Sequence, residues 1–360
     1  MSDLIDQWQE RVRVAAAAGT ALQLRGGGTK AFYGRAPAGE LFDVRGHAGI
    51  VSYEPTELVV TVRAGTPLAE LEALLDDSRQ MLAFEPPHFG ATATIGGCVA
   101  AGLSGPRRAA AGALRDFVLG VKILDGRGEV LTFGGQVMKN VAGYDVSRLI
   151  AGSLGTLGVI LDVSLKVLPR PVAEATLSLA MSEAEAIARL NEWGGQPLPL
   201  SASAWSDGVL NVRLSGADAA VRAALARLGG EVVAKEAADV FWCGLREQTV
   251  DFFENAALDE PGTSLWRLSV PSAAAPLKLD GHQLIEWGGA LRWLRSTAPA
   301  EAIRERTAAV GGHATRFRGG PRDGQVFHPL PTPLMAIHRR LKHAFDPAGI
   351  FNSGRLYEGI

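Results

Sequence analysis

Cysteine is scarce in this sequence, which has only Cys98 and Cys243 among its 360 residues. Two thiols cannot supply the four ligands of an iron–sulfur cluster, and they cannot build a disulfide framework. Their wide separation is also unlike the close ligand spacing of a zinc knuckle. We therefore expect both cysteines to be small core residues, and we predict no metal site.

An excess of one charge and long apolar runs are lacking as well. The 36 basic and 38 acidic side chains give a net charge of −2, so the chain lacks the strong positive field that nucleic-acid binding needs. Its first residues resemble an amphipathic helix rather than a signal peptide, and no run of about 18 apolar residues follows. We expect a folded cytoplasmic protein that meets the inner face of a membrane only through partners.

Glycine, in contrast, is abundant: the chain has 43, and they are clustered rather than periodic. The first cluster follows a predicted strand and reads Arg25-Gly26-Gly27-Gly28-Thr29-Lys30. Successive glycine N–H groups can converge on phosphate oxygens, and a hydroxyl and an ammonium add donors. Gly26, Gly28 and Ala31 also fit a dinucleotide fingerprint, but Pro37 interrupts the helix that a Rossmann fold needs there. A phosphate loop and a plain glycine turn stay open, and a Rossmann loop is disfavoured.

A second loop rich in small residues and hydroxyl groups runs from Pro86 to Gly105. Two such loops suit a ligand with two phosphates that is held from both sides. Arg107 and Arg108, which come next, fit either contact with an acidic substrate or phosphate or a solvated pair.

Up to about residue 170, turn signals separate short strands. Thr66 and Pro67 are typical of a helix N-cap and a first-turn proline, and an amphipathic helix follows them. Asp125 to Gly128 form a hairpin signal, and Leu168 to Pro171 mark the end of the last strand and the predicted domain boundary. The predicted strands are Leu58–Arg63, Val118–Leu124, Glu129–Phe133 and Val159–Leu168.

The second half predicts an antiparallel sheet with helices on one face. A capping box at Ser182 and Glu185 and a turn at Asp207-Gly208 give the order β-α-β-β-α-β up to Ala234. A looser repeat of this order follows, with predicted elements at Asp239–Phe253, Leu265–Val270, Gly288-Gly289, Ala300–Val310 and His313–Arg318. A last helix, Pro333–Phe345, carries Leu334, Ile337, Leu341 and Phe345 on one stripe.

Four motifs then occur in one order: R-G-G-G-T from Arg25, A-T-I-G-G from Ala93, G-A-L-R-D-F-V-L-G from Gly112 and G-S-L-G-T-L-G from Gly152. This set resembles the PCMH-type FAD-binding domain of the vanillyl-alcohol oxidase family, which includes cytokinin dehydrogenase and D-lactate dehydrogenase relatives. The resemblance covers about residues 15–170 and the ending from Phe345 to Arg355. Within the family, residues 134–158 are most similar to the FAD-binding subunits of bacterial glycolate oxidases.

The resemblance implies that FAD is the cofactor. Family members with covalent flavin have histidine where this chain has Thr29, so the implied FAD is non-covalent. The residues that the resemblance assigns to FAD are Arg25, Gly26, Gly27, Gly28, Thr29, Lys30, Pro87, Thr94, Ile95, Gly96, Gly97, Gly102, Ser104, Arg115, Asp116, Gly158, Ile160 and Asn352.

The implied fold class is α+β. It comprises a two-subdomain FAD-binding domain at 1–170, a small antiparallel α+β cap domain at 171–320, and a C-terminal segment at 321–360 that returns to the first domain.

The implied function is that of a glycolate oxidase subunit, which oxidises glycolate or D-lactate to the 2-oxo acid. Electrons would pass through flavin to an iron–sulfur partner, beside a catalytic flavoprotein subunit. Two alternatives stay open: an autonomous FAD-dependent 2-hydroxy-acid dehydrogenase, and a non-catalytic electron-transfer or scaffold subunit. The distal H-x-G-D-G-N-x-H segment of related dehydrogenases is absent from this sequence. Candidates for holding a substrate carboxylate or taking its hydroxyl proton are Arg316, Arg318, Arg322, His313 and His328.

Overall fold

The first glycine cluster directly follows a strand, which pairs in parallel with a second strand and packs beside the N-terminal helix. The structure is a computed structural model that describes residues 2–135, 144–254 and 261–360. Trp8 and Val12 lie one turn apart on α1 and pack against Phe42, because an amphipathic helix buries its apolar stripe. The elements are α1 (Ser2–Ala18), β1 (Leu22–Arg25) and β2 (Glu40–Asp43).

An antiparallel sheet follows, in which the described residues pair in the order β3-β4-β8-β6-β7. The predicted strands of this region are confirmed, with shifts of one or two residues at some ends. The strands are β3 (Ile50–Glu54), β4 (Val59–Arg63), β5 (Gln80–Met81), β6 (Val118–Leu124), β7 (Val130–Gly134), β8 (Val159–Lys166) and β9 (Leu168–Pro169), of which β5 and β9 pair separately.

Helices cover this sheet and connect its strands. The predicted amphipathic helix is α2, which buries Leu68, Leu71 and Leu75. Its N-cap is Pro67 rather than Thr66, because the Thr66 hydroxyl instead accepts a hydrogen bond from Gly49 N (2.9 Å). The helices are α2 (Leu68–Asp77), α3 (Ile95–Ala101), α4 (Arg108–Ala111), α5 (Leu114–Phe117) and α6 (Val146–Ile150).

The second half forms one large sheet. Over the described ranges its strand order is β13-β10-β12-β11-β15-β16-β14-β17, and the antiparallel pair β11–β15 joins the two repeats. The strands are β10 (Ala173–Ala180), β11 (Leu200–Ser206), β12 (Val209–Gly216), β13 (Glu231–Val233), β14 (Ser264–Ser269), β15 (His282–Glu286), β16 (Leu291–Ser296) and β17 (His313–Arg318). The helices are α7 (Glu183–Gly194), α8 (Asp218–Leu228), α9 (Lys235–Glu247) and α10 (Ala300–Ala308).

The predicted β-α-β-β-α-β order and its capping box are confirmed: Ser182 Oγ accepts from Glu185 N, and the Glu185 carboxylate accepts from Ser182 N. The prediction that all helices cover one face is wrong. Leu177 faces α7 and α8, whereas its neighbour Thr176 accepts a hydrogen bond from Trp242 of α9 on the other face. Helix α9 therefore fills the space between the sheet and the first domain.

The last helix, α11 (Thr332–Phe345), returns to the first sheet. Leu341 and Phe345 pack against its core, whereas Leu334 and Ile337 of the predicted stripe are exposed. Phe351 then forms a parallel bridge with Leu22, so the tail lies beside β1. The chain changes sheets between β9 and β10, and the domain division at 170 and 320 remains a prediction.

Candidate functional site

The first glycine cluster presents a row of unpaired backbone donors. In the described part of the chain, the N–H groups of residues 26–30 have no hydrogen-bond acceptor, and the next one, Ala31 N, bonds to Gly28 O (3.0 Å). Successive free N–H groups form a concave site for an anion such as a phosphate. The Thr29 hydroxyl and the Lys30 ammonium both donate to His88 O (2.7 and 3.2 Å), so they anchor the loop.

The second loop packs directly against the first. A Cβ on Gly27 would lie 1.5 Å from Thr92 O, and one on Gly26 would lie 2.4 Å from Thr94 Oγ1. The Thr92 hydroxyl also donates to Gly27 O (2.8 Å). Only glycine fits at these two positions, because any side chain would separate the loops.

Three backbone donors of the A-T-I-G-G motif in the second loop are already used. Ile95 N bonds to Thr66 O (3.0 Å), Gly96 N to Ala64 O (2.7 Å) and Gly97 N to Thr94 Oγ1 (3.3 Å). These three N–H groups are therefore not available to a phosphate, and the expectation that the two loops hold a ligand from both sides remains a prediction. The first loop has a continuous row of free donors at residues 26–30, and the second loop packs against it.

Two adjoining cavities of about 100 and 70 Å³ run along the first loop and form one groove. Asn352 from the C-terminal tail closes it, because its side chain accepts from Leu24 N (2.8 Å) and donates to Leu154 O (2.7 Å). The predicted FAD residues that line the groove are Arg25, Gly26, Gly27, Gly28, Thr29, Lys30, Thr94, Gly96, Gly97, Gly158, Ile160 and Asn352.

The other predicted residues lie elsewhere. Pro87 and Ser104 line a cavity of about 20 Å³ between the domains, and Ile95 is buried in the first core. Gly102 ends α3 in the left-handed conformation. On α5, the Asp116 carboxylate accepts from Ala113 N, and Arg115 lies 4.0 Å from Asp116. A role in FAD binding remains a prediction for these six, as it does for the twelve that line the groove. Residues 136–143, which precede the fourth motif, lie outside the described residues.

Arg355 is a groove residue that the sequence reasoning did not assign. Its guanidinium donates to Ala31 O (3.0 Å) and Tyr33 O (2.6 Å), and burial lowers its pKa to about 10. It holds the segment that follows the glycine cluster. The sequence feature that could have identified Arg355 is its position at the end of the family-like segment from Phe345 to Arg355.

A larger cavity of about 470 Å³ adjoins the groove at Thr29. Its lining comes from the first domain and from the end of the cap sheet, and none of its described lining residues is acidic. The lining residues are Thr29, Phe32, Gly34, Phe89, Arg316, Phe317, Arg318, Gly319, Pro321, Arg322 and Val326.

The three arginines of this cavity differ in their partners. Arg322 donates to Gly34 O (3.0 Å) and Ala31 O (2.7 Å), and Arg316 donates to Pro321 O (3.1 Å). The Arg318 guanidinium has no hydrogen bond to any described residue, and its central carbon lies 4.4 Å from the centre of the Phe32 ring. Burial lowers the pKa of Arg318 to about 10.

The candidate histidines do not join this cavity. His328 Nδ1 accepts from Ala314 N (3.4 Å), and its ring centre is 6.5 Å from that of His313. Burial lowers the pKa of both groups. Lys30 lies in the groove, where burial lowers its pKa, and burial raises the pKa of the Cys98 thiol to about 12.

Arg107 and Arg108 lie between the domains, and the interpretation of the two as a solvated pair is wrong because Arg107 is buried. Arg107 is 7% exposed and bridges Glu85 (3.2 Å) of the first domain to Glu174 (2.8 Å) of the cap. The Arg108 guanidinium lies 4.6 Å from the centre of the Trp287 ring.

The described residues hold neither a cluster of metal ligands nor a membrane-spanning helix. Across residues 2–135, 144–254 and 261–360, no three His, Cys, Asp or Glu side chains are placed to hold a metal ion. No helix in these same ranges has the length and apolar character to cross a membrane.

Comparison with known proteins identifies the family. The chain is 52% identical to the glycolate oxidase subunit GlcE of Escherichia coli over 348 residues, which are 97% of this chain and 96% of that protein. The chain belongs to the GlcE family. Residues 4–134 match the family described as FAD binding domain.

More distant relatives share only part of the chain. The Bacillus subtilis glycolate oxidase subunit GlcD is 32% identical over 44% of this chain and 34% of its own length. A D-lactate dehydrogenase of Anaerostipes hadrus is 33% identical over 38% of this chain and 28% of its own. A solved alkyldihydroxyacetonephosphate synthase superposes with a TM-score of 0.67 at 16% identity, over 96% of this chain and 74% of that one. This likeness concerns the fold alone and confirms the α+β class.

The groove fits the cofactor of this family. Its free N–H row and its glycine-only contact suit the pyrophosphate of a dinucleotide. The chain is therefore an FAD-binding flavoprotein of the oxidoreductase class.

Proposed function

We propose that this chain is the FAD-binding subunit of a glycolate oxidase complex, which oxidises glycolate, or D-lactate, to the 2-oxo acid. The observation that supports it best is the free N–H row of residues 26–30 beside a cavity with an unpaired guanidinium. The high identity to a protein named as a glycolate oxidase subunit supports the same proposal.

FAD would supply the electron-accepting chemistry, and the chain would bind and orient it. The backbone of residues 26–30 would hold the phosphates, with Asn352 and Gly97 bordering the groove. We propose that FAD is non-covalent, since Thr29 stands where family members with covalent flavin have histidine, and its hydroxyl donates to His88 O.

Electrons that leave FAD need an acceptor outside this chain. The whole sequence has two cysteines, which are too few for a cluster. We therefore propose an iron–sulfur partner and a catalytic flavoprotein partner, and a cytoplasmic location with membrane contact only through them.

A substitution in the first loop tests the cofactor site. Gly27→Ala should weaken FAD binding at least about tenfold, because its methyl group would push the loop away from Thr92. Gly194→Ala is the matched control, since a Cβ there meets nothing within 4 Å. FAD content and affinity are measured by absorbance and equilibrium dialysis. Equal retention in both variants would contradict the assignment, and a yellow pellet after acid precipitation would contradict non-covalent FAD.

A second experiment tests the complex. Affinity-tagged chain isolated under mild conditions should bring down two further polypeptides, one of which contains iron. A monomer that oxidises glycolate rapidly without them would instead support the autonomous dehydrogenase.

A further inference from the structure

The Arg318 guanidinium lines the large cavity in a position suited to anion binding. The group faces this cavity of about 470 Å³, and it contacts the aromatic rings of Phe32 (4.4 Å), Phe89 (5.1 Å) and Phe317 (5.8 Å). Cation–π contacts to several rings fix the position of such a group without using its N–H donors. The donors of Arg318 therefore stay free toward the cavity.

The surroundings favour an anionic ligand. A cation removed from water and left without a counter-charge is costly, and no described residue with a carboxylate lines this cavity. Arg316 and Arg322 line the same cavity and add positive charge, although each also donates to backbone carbonyls. A planar guanidinium matches a carboxylate in a bidentate pair, and a partly desolvated site strengthens that pair.

The same lining offers no proton acceptor suited to alcohol oxidation. Its described residues include no His, Asp, Glu, Lys or Tyr, and the Thr29 hydroxyl donates to His88 O. Lys30 lines the adjoining groove, and its ammonium is directed to the same carbonyl. Removal of the hydroxyl proton of a 2-hydroxy acid needs a base within hydrogen-bond reach.

We propose that this cavity binds the carboxylate of a small 2-hydroxy or 2-oxo acid through Arg318 without oxidising it. The choice of ligand rests on the proposed function, whereas the absence of turnover is a separate claim about this chain. Oxidation of the alcohol then takes place on the partner flavoprotein, and this cavity is a carboxylate-binding site of the complex.

Binding is tested on the full chain loaded with FAD, by anaerobic calorimetry with glycolate and with glycolamide, which has no carboxylate. Glycolate should bind, and glycolamide should bind at least about tenfold more weakly. Arg318→Gln should lose at least about tenfold in glycolate affinity. Arg295→Gln is the matched control, because this arginine stacks on Phe252 outside the cavity, and it should stay within about twofold.

Turnover is tested in the same samples by flavin absorbance, which glycolate should leave unbleached. Bleaching would overturn the proposal. Equal glycolate affinity of Arg318→Gln and the wild type, with normal thermal unfolding, would also overturn it. Failure to take up FAD or to assemble with partners would contradict the proposed function instead, and glycolate binding can still be measured on the FAD-free chain.

Discussion

At the scale of single residues, Glu286 shows how burial changes ionisation at the domain interface. Its side chain accepts a hydrogen bond from Trp293 Nε1 (2.8 Å), and burial raises its pKa from 4.5 to about 7, although Arg267 opposes the change. Between pH 4.5 and 7 the folded chain keeps a proton that the unfolded chain releases, so its stability falls as the pH rises. We expect the wild type to lose about 3 kcal/mol of unfolding free energy over this window.

Glu286→Gln should remove this part of the pH dependence, because an amide does not titrate. Urea unfolding of both proteins from pH 4.5 to 8 gives the unfolding free energy at each pH. The contribution of Glu286 is the difference between the two slopes of that free energy against pH. Parallel curves would show that folding does not raise the pKa of Glu286.

At the scale of elements, one buried lysine joins α11 and the tail to the first domain. Lys342 Nζ donates to Thr156 O (2.8 Å), Phe351 O (2.7 Å) and the Asp346 carboxylate (2.6 Å). Lys342→Met should cost about 3–5 kcal/mol, because it leaves the buried Asp346 charge without its partner. The exposed Arg340→Met on the same helix should stay within about 0.5 kcal/mol. Denaturant unfolding measures both, and equal costs would refute this role for Lys342.

At the scale of the whole molecule, α9 connects the cap to the loop that supports the cofactor groove. The Glu247 carboxylate accepts hydrogen bonds from His88 N (3.0 Å) and Phe89 N (2.9 Å). The His88 carbonyl oxygen in turn accepts hydrogen bonds from the Thr29 hydroxyl and the Lys30 ammonium. Glu247→Gln should raise hydrogen exchange in residues 86–90 and weaken FAD binding, because an uncharged amide is a weaker acceptor.

Exchange mass spectrometry checks this prediction, with Glu236→Gln at the exposed start of α9 as the control. The free energy of opening of residues 86–90 should differ by about 1–3 kcal/mol between the two variants. The same exchange in both would mean that the cap does not hold the groove.

The sequence alone determined the features that depend on neighbouring residues. Glycine clusters, turn signals and periodicity placed the strands, the order of the cap repeats and the capping box at Ser182, because these depend on local conformation and on spacing along the chain. The four ordered motifs were sufficient to identify the FAD-binding fold, because their order and spacing are themselves properties of the sequence.

Only the tertiary structure decided which hydrogen-bond donors are left without an acceptor. Gly96 and Gly97 have the residue types of a phosphate loop, yet the distant Ala64 carbonyl and the Thr94 hydroxyl use their N–H groups. Arg316, Arg318 and Arg322 cannot be distinguished by residue type, yet among these three only the Arg318 guanidinium makes no hydrogen bond to a described residue. The physical reason is that a donor's availability depends on the acceptors that long-range packing brings to it, and local sequence does not contain that information.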